Sequence, residues 1–349
     1  MKGWYLNGAN DIELKELTNV PEIISDQKIK VKLTKTMITP EDVLRYTGET
    51  KVSDVVLGSA GIGVVADVSK EGALNGITKG SVVYVNPYKP CKECYFCKSN
   101  IKNKCSNLLL AGEDYNGFLR EFVYPDISQV IVLPQPKDGC KINDQDALLI
   151  ETVSIALNTI DRLNIQKGEH VVIIGADTLG ITLAKLLKYY QSIPIIIDND
   201  PQKIALASEC GIYYTLTKEK DWHKEVNEIT GGRMANHVVY MAQSKIPVKT
   251  AFGLAGYGIS IGIIGANASA SPISFTLALK KELKLEFIAN GYGNALASLN
   301  LIANEVIDSS DIKIEHTTFE NCGEKFKELA DKYKKDLPIP NVIVDMVGL

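Results

Sequence analysis

Between about residues 168 and 290 the chain alternates regularly between short apolar runs and longer stretches with helical spacing of their apolar residues. The apolar runs are His170 to Gly175, Ile193 to Asp198, Tyr213 to Leu216, His237 to Met241, Gly258 to Gly265 and Leu283 to Asn290. This alternation is typical of buried parallel strands, each followed by a helix. Six such strands with right-handed crossovers predict a doubly wound α/β sheet, a nucleotide-binding type of domain.

The residues after about 291 predict two more helices and a last strand, at Ala295 to Ile307, Cys322 to Lys334 and Asn341 to Met346. We expect this tail to fold back onto the first 150 residues. The length of 349 residues suggests about two domains, and the second domain would then be discontinuous in sequence.

Four cysteines, Cys91, Cys94, Cys97 and Cys105, lie within one short stretch. Gaps of two residues let successive sulfurs point inward from tight turns, and the seven-residue gap lets the chain loop back around a Zn²⁺ ion. Four thiolates fill a tetrahedral shell, so we expect one structural zinc per chain. Nearby lysines would offset the negative charge, namely Lys89, Lys92, Lys98, Lys102 and Lys104. The alternative is two disulfides, which a reduced cytosolic chain would not be expected to form.

The rest of the composition limits the possible functions. The net charge of −4 argues against a nucleic-acid surface. The long uncharged stretch from Phe252 to Leu279 is broken by glycines and a proline, and we interpret it as a helix end, a buried strand and a turn. We therefore expect a cytoplasmic protein without membrane spans. Cys140, Cys210 and Cys322 stand apart and are interpreted as buried small apolar residues.

Five motifs carry a resemblance to a known family. In chain order they are PCKECYFC with Cys105, GFLREFVYP, IETVSIALNTIDRLNIQKGEHVVIIGADTLG, TGGRMANHVVYMA and KKELKLEFIANG. Over essentially its whole length the chain resembles a medium-chain dehydrogenase/reductase of the zinc-containing alcohol, polyol and threonine dehydrogenase branch. The resemblance implies an α/β protein with a GroES-like, β-rich catalytic domain at residues 1–150 and 291–349, including a zinc lobe at about 88–110. Residues 151–290 would form the six-stranded Rossmann domain.

The resemblance also implies a second, catalytic zinc, but its ligands are replaced. The family has a cysteine ligand three residues before an aspartate; here Asp42 is present and Thr39 takes the cysteine's place. The Gly-His-Glu turn of the family reads Gly58-Ser59-Ala60, and only Glu151 matches a carboxylate on or beside the metal. No histidine precedes residue 170, and a catalytic zinc needs about three protein ligands. We therefore expect no catalytic zinc.

By the same resemblance, polar residues surround a cleft between the domains where a small substrate would bind. They are Glu41, Asp42, Arg45, Tyr46, Ser59, Tyr88, Glu151 and Asn158. Glu41 and Leu44 occupy the places of the family's proton-relay hydroxyl and histidine. Without a metal to polarise a carbonyl, hydride transfer needs an acid such as a tyrosine or a protonated carboxyl group. Glu151, Glu41 and Tyr46 are our catalytic candidates.

The phosphate loop of the predicted Rossmann domain departs from the Gly-x-Gly-x-x-Gly pattern. It reads Gly175-Ala176-Asp177-Thr178-Leu179-Gly180, so Asp177 replaces the glycine that lets the backbone approach a pyrophosphate. Asp177 also stands just before a predicted helix, where its carboxylate can accept bonds from free backbone N–H groups. We expect this built-in anion to compete with the cofactor, so that NAD(H) binds weakly.

Two residues further along favour NAD over NADP. Asp198 ends the second strand, where an acidic side chain can bind the ribose hydroxyls, and Lys203 matches a ribose-contacting lysine of the family. The alternative is that Asp198 only helps to cap the helix that begins at Pro201, although Asp200 is already placed for that role.

These observations favour an NAD(H)-dependent oxidoreductase with a structural zinc and no catalytic zinc, acting on a small polar substrate in the interdomain cleft. Two alternatives stay open: a non-catalytic family member with a ligand-binding or assembly role, and a conventional zinc-dependent alcohol or polyol dehydrogenase. The family's subunits commonly associate through edge strands of the Rossmann sheet, so we expect a homodimer or homotetramer, with no nucleic-acid or membrane partner.

Overall fold

The computed structural model describes residues 1–17, 27–134, 142–265, 273, 275–307, 309–312, 314–335 and 337–346. Cys140 lies outside these residues. The chain forms two compact units, the first made of Met1–Glu151 with Lys313–Leu349 and the second of Thr152–Ile312.

The strands and helices are numbered in chain order. The strands are β1 Lys2–Gly8, β2 Asp11–Glu16, β3 Ile29–Ile38, β4 Val55–Val56, β5 Gly61–Val68, β6 Val82–Val85, β7 Tyr88–Lys89, β8 Leu109–Leu110, β9 Phe122–Val123, β10 Val130–Val132, β11 His170–Ile174, β12 Ile193–Ile197, β13 Tyr214–Leu216, β14 Ala235–Met241, β15 Ala255–Ile264, β16 Lys284–Ile288, β17 Ile314–Thr318 and β18 Asn341–Asp345. The α-helices are α1 Pro40–Thr47, α2 Lys70–Leu74, α3 Tyr95–Lys98, α4 Asp144–Ala147, α5 Ile150–Leu163, α6 Thr178–Tyr189, α7 Pro201–Glu209, α8 Trp222–Ile229, α9 Lys249–Leu254, α10 Phe275–Lys281, α11 Ala295–Ala303 and α12 Cys322–Lys334. Short 3₁₀ turns lie at Lys102–Lys104, Ile127–Gln129, Ser309–Asp311 and Phe319–Asn321.

The first unit is built on a sheet with strand order β10-β6-β5-β3-β18-β17, and β9 pairs with β3 beside that path. Most neighbours are antiparallel, with β17 parallel to β18. The two strands of the chain's tail thus complete a sheet begun by the first 150 residues; the sequence predicts β18 and the return of the tail, whereas β17 was not predicted. Apolar side chains from these strands and from α12 form one buried core.

The second unit contains the predicted Rossmann sheet. Its six strands are all parallel and run in the order β13-β12-β11-β14-β15-β16, which is the doubly wound order 3-2-1-4-5-6. The central strands are apolar along their whole length because helices can cover both faces of such a sheet; residues 171–174 of β11 are fully buried.

Residues 291–312 differ from our expectation, because they group with the second unit rather than with the tail. The hydroxyl oxygen of Ser298, on α11, lies 2.8 Å from that of Ser154 on α5. Asn158 donates to the backbone oxygen of Asn290 at 2.6 Å. A Cβ at Gly291 would lie 2.2 Å from the carbonyl carbon of Ser154, so only glycine permits this approach. These contacts hold α11 on α5, a pairing that helical periodicity alone does not reveal.

The uncharged stretch from Phe252 to Leu279 begins, as expected, with the end of a helix, α9. The strand β15 follows directly after it. No helix in the described part of the chain combines the length and apolar content needed to cross a membrane.

Candidate functional site

The four clustered cysteines converge at α3. Cys94 is the N-cap of α3, Cys97 lies within it, and Cys105 follows the 3₁₀ turn at Lys102–Lys104. The Sγ atoms all lie within 4.8 Å of one another, and the sulfurs of Cys91 and Cys105 are 3.5 Å apart. Zinc–sulfur bonds of about 2.3 Å in a tetrahedron place sulfurs about 3.8 Å apart, so this donor set fits Zn²⁺. None of the four is in a disulfide.

Backbone groups support the sulfurs. The N–H of Cys91 donates to the sulfur of Cys105 at 3.3 Å, and the N–H of Cys94 donates to that of Cys91 at 3.4 Å. Such bonds stabilise thiolates. Two of the lysines expected to offset the thiolate charge, Lys89 and Lys92, instead contact the carboxylate of Asp126 at 3.8 and 3.3 Å.

The remaining described cysteines are not clustered. Cys322 is fully buried, as expected, whereas Cys210 is half-buried. Neither belongs to a group of three or more potential metal ligands, and the cysteine quartet is the only such group among the described residues.

Of the three positions compared with zinc ligands of the family, Thr39, Ser59 and Ala60, two lie at one carboxylate. Thr39 is the N-cap of α1, and its hydroxyl donates to Oδ2 of Asp42 at 3.0 Å, in a capping box with that residue. Ser59 donates to the same oxygen at 3.0 Å, and the two hydroxyl oxygens lie 3.2 Å apart. Ala60 is fully buried, and its carbonyl oxygen accepts a bond from Thr36 instead. Thr39 and Ser59 are therefore brought together, and Ala60 does not join them.

Asp42 has no exposed surface, and its charge is balanced within the protein. Oδ1 accepts bonds from the backbone N–H of Gly58 at 3.2 Å and from Arg45 at 3.4 Å. Arg45 also donates to Glu113 at 2.8 Å. Each oxygen of the buried carboxylate therefore has at least two donors, which is how proteins usually tolerate such a group.

Glu151 lies in the first turn of α5 and accepts a hydrogen bond from the hydroxyl of Tyr88 at 3.1 Å. Burial raises the pKa of Glu151 to about 8; the Tyr88 bond opposes this, and the negative charges of Glu41 and Asp42 raise it further. Burial and the neighbouring Glu151 likewise hold the pKa of Tyr88 well above its usual value. Glu151 is therefore mostly a neutral acid at pH 7.

Our other two catalytic candidates differ in placement. Glu41 is exposed, and its negative charge contributes to the raised pKa of Glu151. Tyr46 is only 2% exposed; its ring packs on Phe326 with centroids 5.3 Å apart, and its hydroxyl donates to the backbone oxygen of Asn10 at 3.4 Å. The assignment of Tyr46 as catalytic is wrong, because the side chain belongs to the core. Sequence reasoning placed Tyr88 near the site but missed its pairing with Glu151.

The phosphate loop joins β11 to α6. Gly175 has a φ of +115°, and a Cβ at Gly180 would lie 2.1 Å from the carbonyl oxygen of Gly175, so the turn needs glycine at both positions. Asp177 is the N-cap of α6, and its Oδ1 accepts from the N–H of Gly180 at 2.8 Å. The predicted cap is present. The first turn of α6 continues with Thr178 and Leu179, both half-buried.

Asp198 is buried beside this loop and uses both carboxylate oxygens. Oδ2 accepts from the N–H of Ala176 at 2.8 Å, and Oδ1 accepts from the N–H of Asp200 at 2.9 Å. Lys203 lies 3.9 Å from Oδ2. The cap of α7 is supplied by Asp200, which accepts from Gln202. Asp198 is thus not the cap of α7.

The groups around Asp177 have opposing effects on the pKa of its carboxyl group. Burial raises its pKa, Lys203 and the N–H of Gly180 lower it, and Asp198 raises it. The loop therefore places the carboxylate of Asp177 where a dinucleotide-binding domain would hold a pyrophosphate, with Asp198 and Lys203 beside it.

Comparison with known proteins agrees with this architecture. Residues 25–135 match the family model "Alcohol dehydrogenase GroES-like domain", and residues 178–304 match "Zinc-binding dehydrogenase". Together the two matches cover more than half of the chain. The first match lies in the first unit and the second match lies in the second unit. The chain belongs to the medium-chain dehydrogenase/reductase family.

Within this family the relatives are zinc-binding alcohol and polyol dehydrogenases. A zinc-type alcohol dehydrogenase-like protein of Haemophilus influenzae is 28% identical over 97% of this chain and 98% of its own. The L-galactonate-5-dehydrogenase of Escherichia coli is 23% identical over 90% and 89% of the two chains. An alcohol dehydrogenase of Escherichia coli CFT073, solved with NADH, superposes with a TM-score of 0.85 over 99% of both chains at 21% identity.

Proposed function

We propose that this protein is an NAD(H)-dependent oxidoreductase that carries one structural zinc and no catalytic zinc, and acts on a small polar substrate. The observation that carries the proposal is the arrangement of Thr39 and Ser59. Their hydroxyls stand at positions that match zinc ligands of the family, and both are bonded to the buried carboxylate of Asp42. Hydroxyl groups are not among the usual protein ligands of zinc.

Zinc at Cys91, Cys94, Cys97 and Cys105 would be closed to substrate, because four thiolates complete a tetrahedral shell. Its role would be to hold the lobe around α3 together. Metal binding of this kind contributes directly to folding.

In the absence of a catalytic metal, Glu151 is the best acid in the first unit. Bound NADH would supply the hydride that reduces a substrate carbonyl carbon. Glu151, with its pKa of about 8, gives its proton to the carbonyl oxygen, so that a carbonyl compound becomes an alcohol. In the reverse direction the Glu151 carboxylate accepts the hydroxyl proton of an alcohol, while the bond from Tyr88 keeps the carboxyl group oriented.

The residues of the phosphate loop fit a dinucleotide in part. Gly175 and Gly180 make the tight turn that such a loop requires, whereas Asp177 already occupies the N–H of Gly180. A pyrophosphate must displace this carboxylate or bind beside it. We therefore propose that NAD(H) binds more weakly than it would to a loop with glycine at this position.

The capping bond of Asp177 also favours a second candidate, a family member that has kept the fold and the structural zinc without redox turnover. In that case the bond between Asp177 and Gly180 would be a permanent replacement for the cofactor phosphate. Titration with NADH separates the two proposals, because only the oxidoreductase should show saturable binding.

The direct test of the oxidoreductase is NADH oxidation with a panel of small polyhydroxy ketones and aldehydes. Glu151→Gln should lower turnover by about 10²-fold or more with little change in NADH affinity, since general acid catalysis contributes about that much. The matched control is Glu228→Gln on the exposed surface of α8, which should change neither quantity. Equal turnover of wild type and Glu151→Gln would exclude Glu151 as the acid.

A further inference from the structure

A cavity lies in the first unit, and its lining includes neither Glu151, nor Asp42, nor any of the four clustered cysteines. It has a volume of about 550 Å³ and lies among β1, the end of β2 and residues 115–129. Its apolar and aromatic walls include Phe118, Val123 and Pro125, together with Tyr115 and Tyr124. A cavity of this size is ample for a small organic molecule.

The guanidinium of Arg120 in this cavity has no ionic partner among the described residues. Arg120 lines the wall, and its Nη2 donates to the backbone oxygen of Asn116 at 3.0 Å. Its Nε is inaccessible to solvent and makes no hydrogen bond. No carboxylate of the described residues forms a salt bridge with it, and burial lowers its pKa to about 10.

Arg45 is a more deeply buried guanidinium of the same unit; its Nε also makes no hydrogen bond, but its charge has ionic partners. It lies beside two carboxylates, those of Asp42 and Glu113. A buried charge without a partner is unfavourable, and breaking such a pair leaves a large desolvation penalty. Arg120 is half-buried with an inaccessible Nε, so it carries part of that penalty, and an anion in the cavity would give its guanidinium an ionic partner.

The remaining charges make the cavity cationic. Lys28 and Lys89 also line it, against the single acid Glu16 among the described lining residues. Lys89 is partly engaged by Asp126, at 3.8 Å, which leaves Arg120 as the group best placed to select a ligand. A guanidinium matches the two oxygens of one carboxylate, and the aromatic and aliphatic walls suit an apolar body.

We infer that the cavity at Arg120 binds a small organic carboxylate with a planar, apolar body, at a site separate from the phosphate loop and from Glu151. Tyr115 would form a rigid wall, because its hydroxyl donates to the backbone oxygen of Pro87 at 2.7 Å and accepts from Gln129 at 3.0 Å. The bond to the ligand would come from the free donors of Arg120.

Benzoate is a suitable probe, and the arginine side chains report on it directly. The chain has four arginines, Arg45, Arg120, Arg162 and Arg233, so a ¹⁵N spectrum of the Nε–H groups contains few signals. Benzoate should shift the Arg120 signal saturably in the wild-type protein. The variants Arg162→Lys and Arg233→Lys, both in the second unit, each lose the signal of the replaced arginine. Comparison with the wild-type spectrum therefore assigns those two signals. If the signals of all four arginines stay unchanged, the proposal fails.

Variants test the same site by affinity. Arg120→Met should weaken benzoate binding by about tenfold or more, the usual loss for a bond to a charged group. The control Lys28→Met removes a half-buried cation from the same cavity and should weaken benzoate binding by no more than about threefold, the usual worth of a solvent-screened charge. Without benzoate, Arg120→Met should be at least as stable as wild type. Equal benzoate affinity in wild type and Arg120→Met would overturn the proposal, and so would tighter binding of inorganic phosphate than of benzoate.

Discussion

The hydroxyl oxygens of Thr39 and Ser59 lie 3.2 Å apart, and both groups donate to one oxygen of Asp42. The two residues come from different elements, Thr39 from the cap of α1 and Ser59 from the turn before β5. In the proposed function, these two hydroxyls and Asp42 form a closed polar network in place of a catalytic metal site. The network is held from the other side by Arg45 and the N–H of Gly58.

Removing one hydroxyl from this network should destabilise the fold. Ser59→Ala leaves the buried Asp42 with one donor fewer, so the free energy of unfolding should fall by about 1–3 kcal/mol. Ser53→Ala is the matched control, because Ser53 makes a similar bond to the exposed Asp54 and should change stability by less than about 0.5 kcal/mol. Urea unfolding of the three proteins measures both values. Equal stabilities would show that the network is not supporting the fold.

From the raised pKa of Glu151 we predict how the free energy of unfolding depends on pH. The folded protein holds the proton up to about pH 8, whereas the unfolded chain releases it near the usual glutamate value of about 4.3. The stability that comes from neutral Glu151 is therefore complete below the unfolded pKa and is lost as pH rises towards the folded pKa. The difference in unfolding free energy between wild type and Glu151→Gln should fall from pH 5 to pH 8 and then stay level. A difference that is constant with pH would contradict the raised pKa.

Asp177→Gly should tighten NADH binding. The change removes a carboxylate from the N–H of Gly180 and frees that donor for a pyrophosphate, for a gain of about 1–2 kcal/mol, or roughly 5- to 30-fold. Asp221→Gly is the control, since Asp221 caps α8 in the same way but is not part of the phosphate loop. Calorimetric titration compares the three proteins. A wild type that already binds NADH at low micromolar Kd, or equal affinities, would remove Asp177 as the cause of weak binding.

We also propose a homodimer that forms through β16. This strand is at the edge of the Rossmann sheet, and large apolar side chains are exposed on it, Phe287 at 64%, and on the preceding helix α10, Phe275 at 80% and Leu279 at 81%. An exposed apolar edge strand favours pairing with another chain. Phe287→Lys should lower the mass in light scattering to that of a monomer. Tyr213→Lys, beside the opposite edge strand β13, should not, and a monomeric wild type would contradict the proposal.

The sequence predicts the Rossmann unit well because its signals are local. Asp177 and Asp200 stand directly before helices, Gly175 and Gly180 make the turn, and apolar runs mark the six strands. The position of α11 was not predictable in this way, because it depends on the contact of Ser298 and Gly291 with Ser154, more than a hundred residues away.

The residues of the candidate site also divide into those that local sequence signals predict and those that depend on contacts between distant parts of the chain. The cysteine quartet follows from spacing alone, and its geometry agrees. Tyr46 was misassigned because a helical residue near a site can face the core, and only the packing on Phe326 decides which way it faces. The bond between Tyr88 and Glu151 spans 63 residues and leaves no pattern in the sequence.

The proposal that no catalytic zinc is bound is tested most directly by counting zinc per chain in wild type and in a double variant, Thr39→Cys with Ser59→His. Together with Glu151, the variant would offer Cys, His and carboxylate ligands, which catalytic zinc sites use. Cys94→Ser, which breaks the quartet, serves as the control for the structural site. The account predicts about one zinc in wild type, about two in the double variant and fewer than one in Cys94→Ser. About two zinc ions per wild-type chain would contradict it.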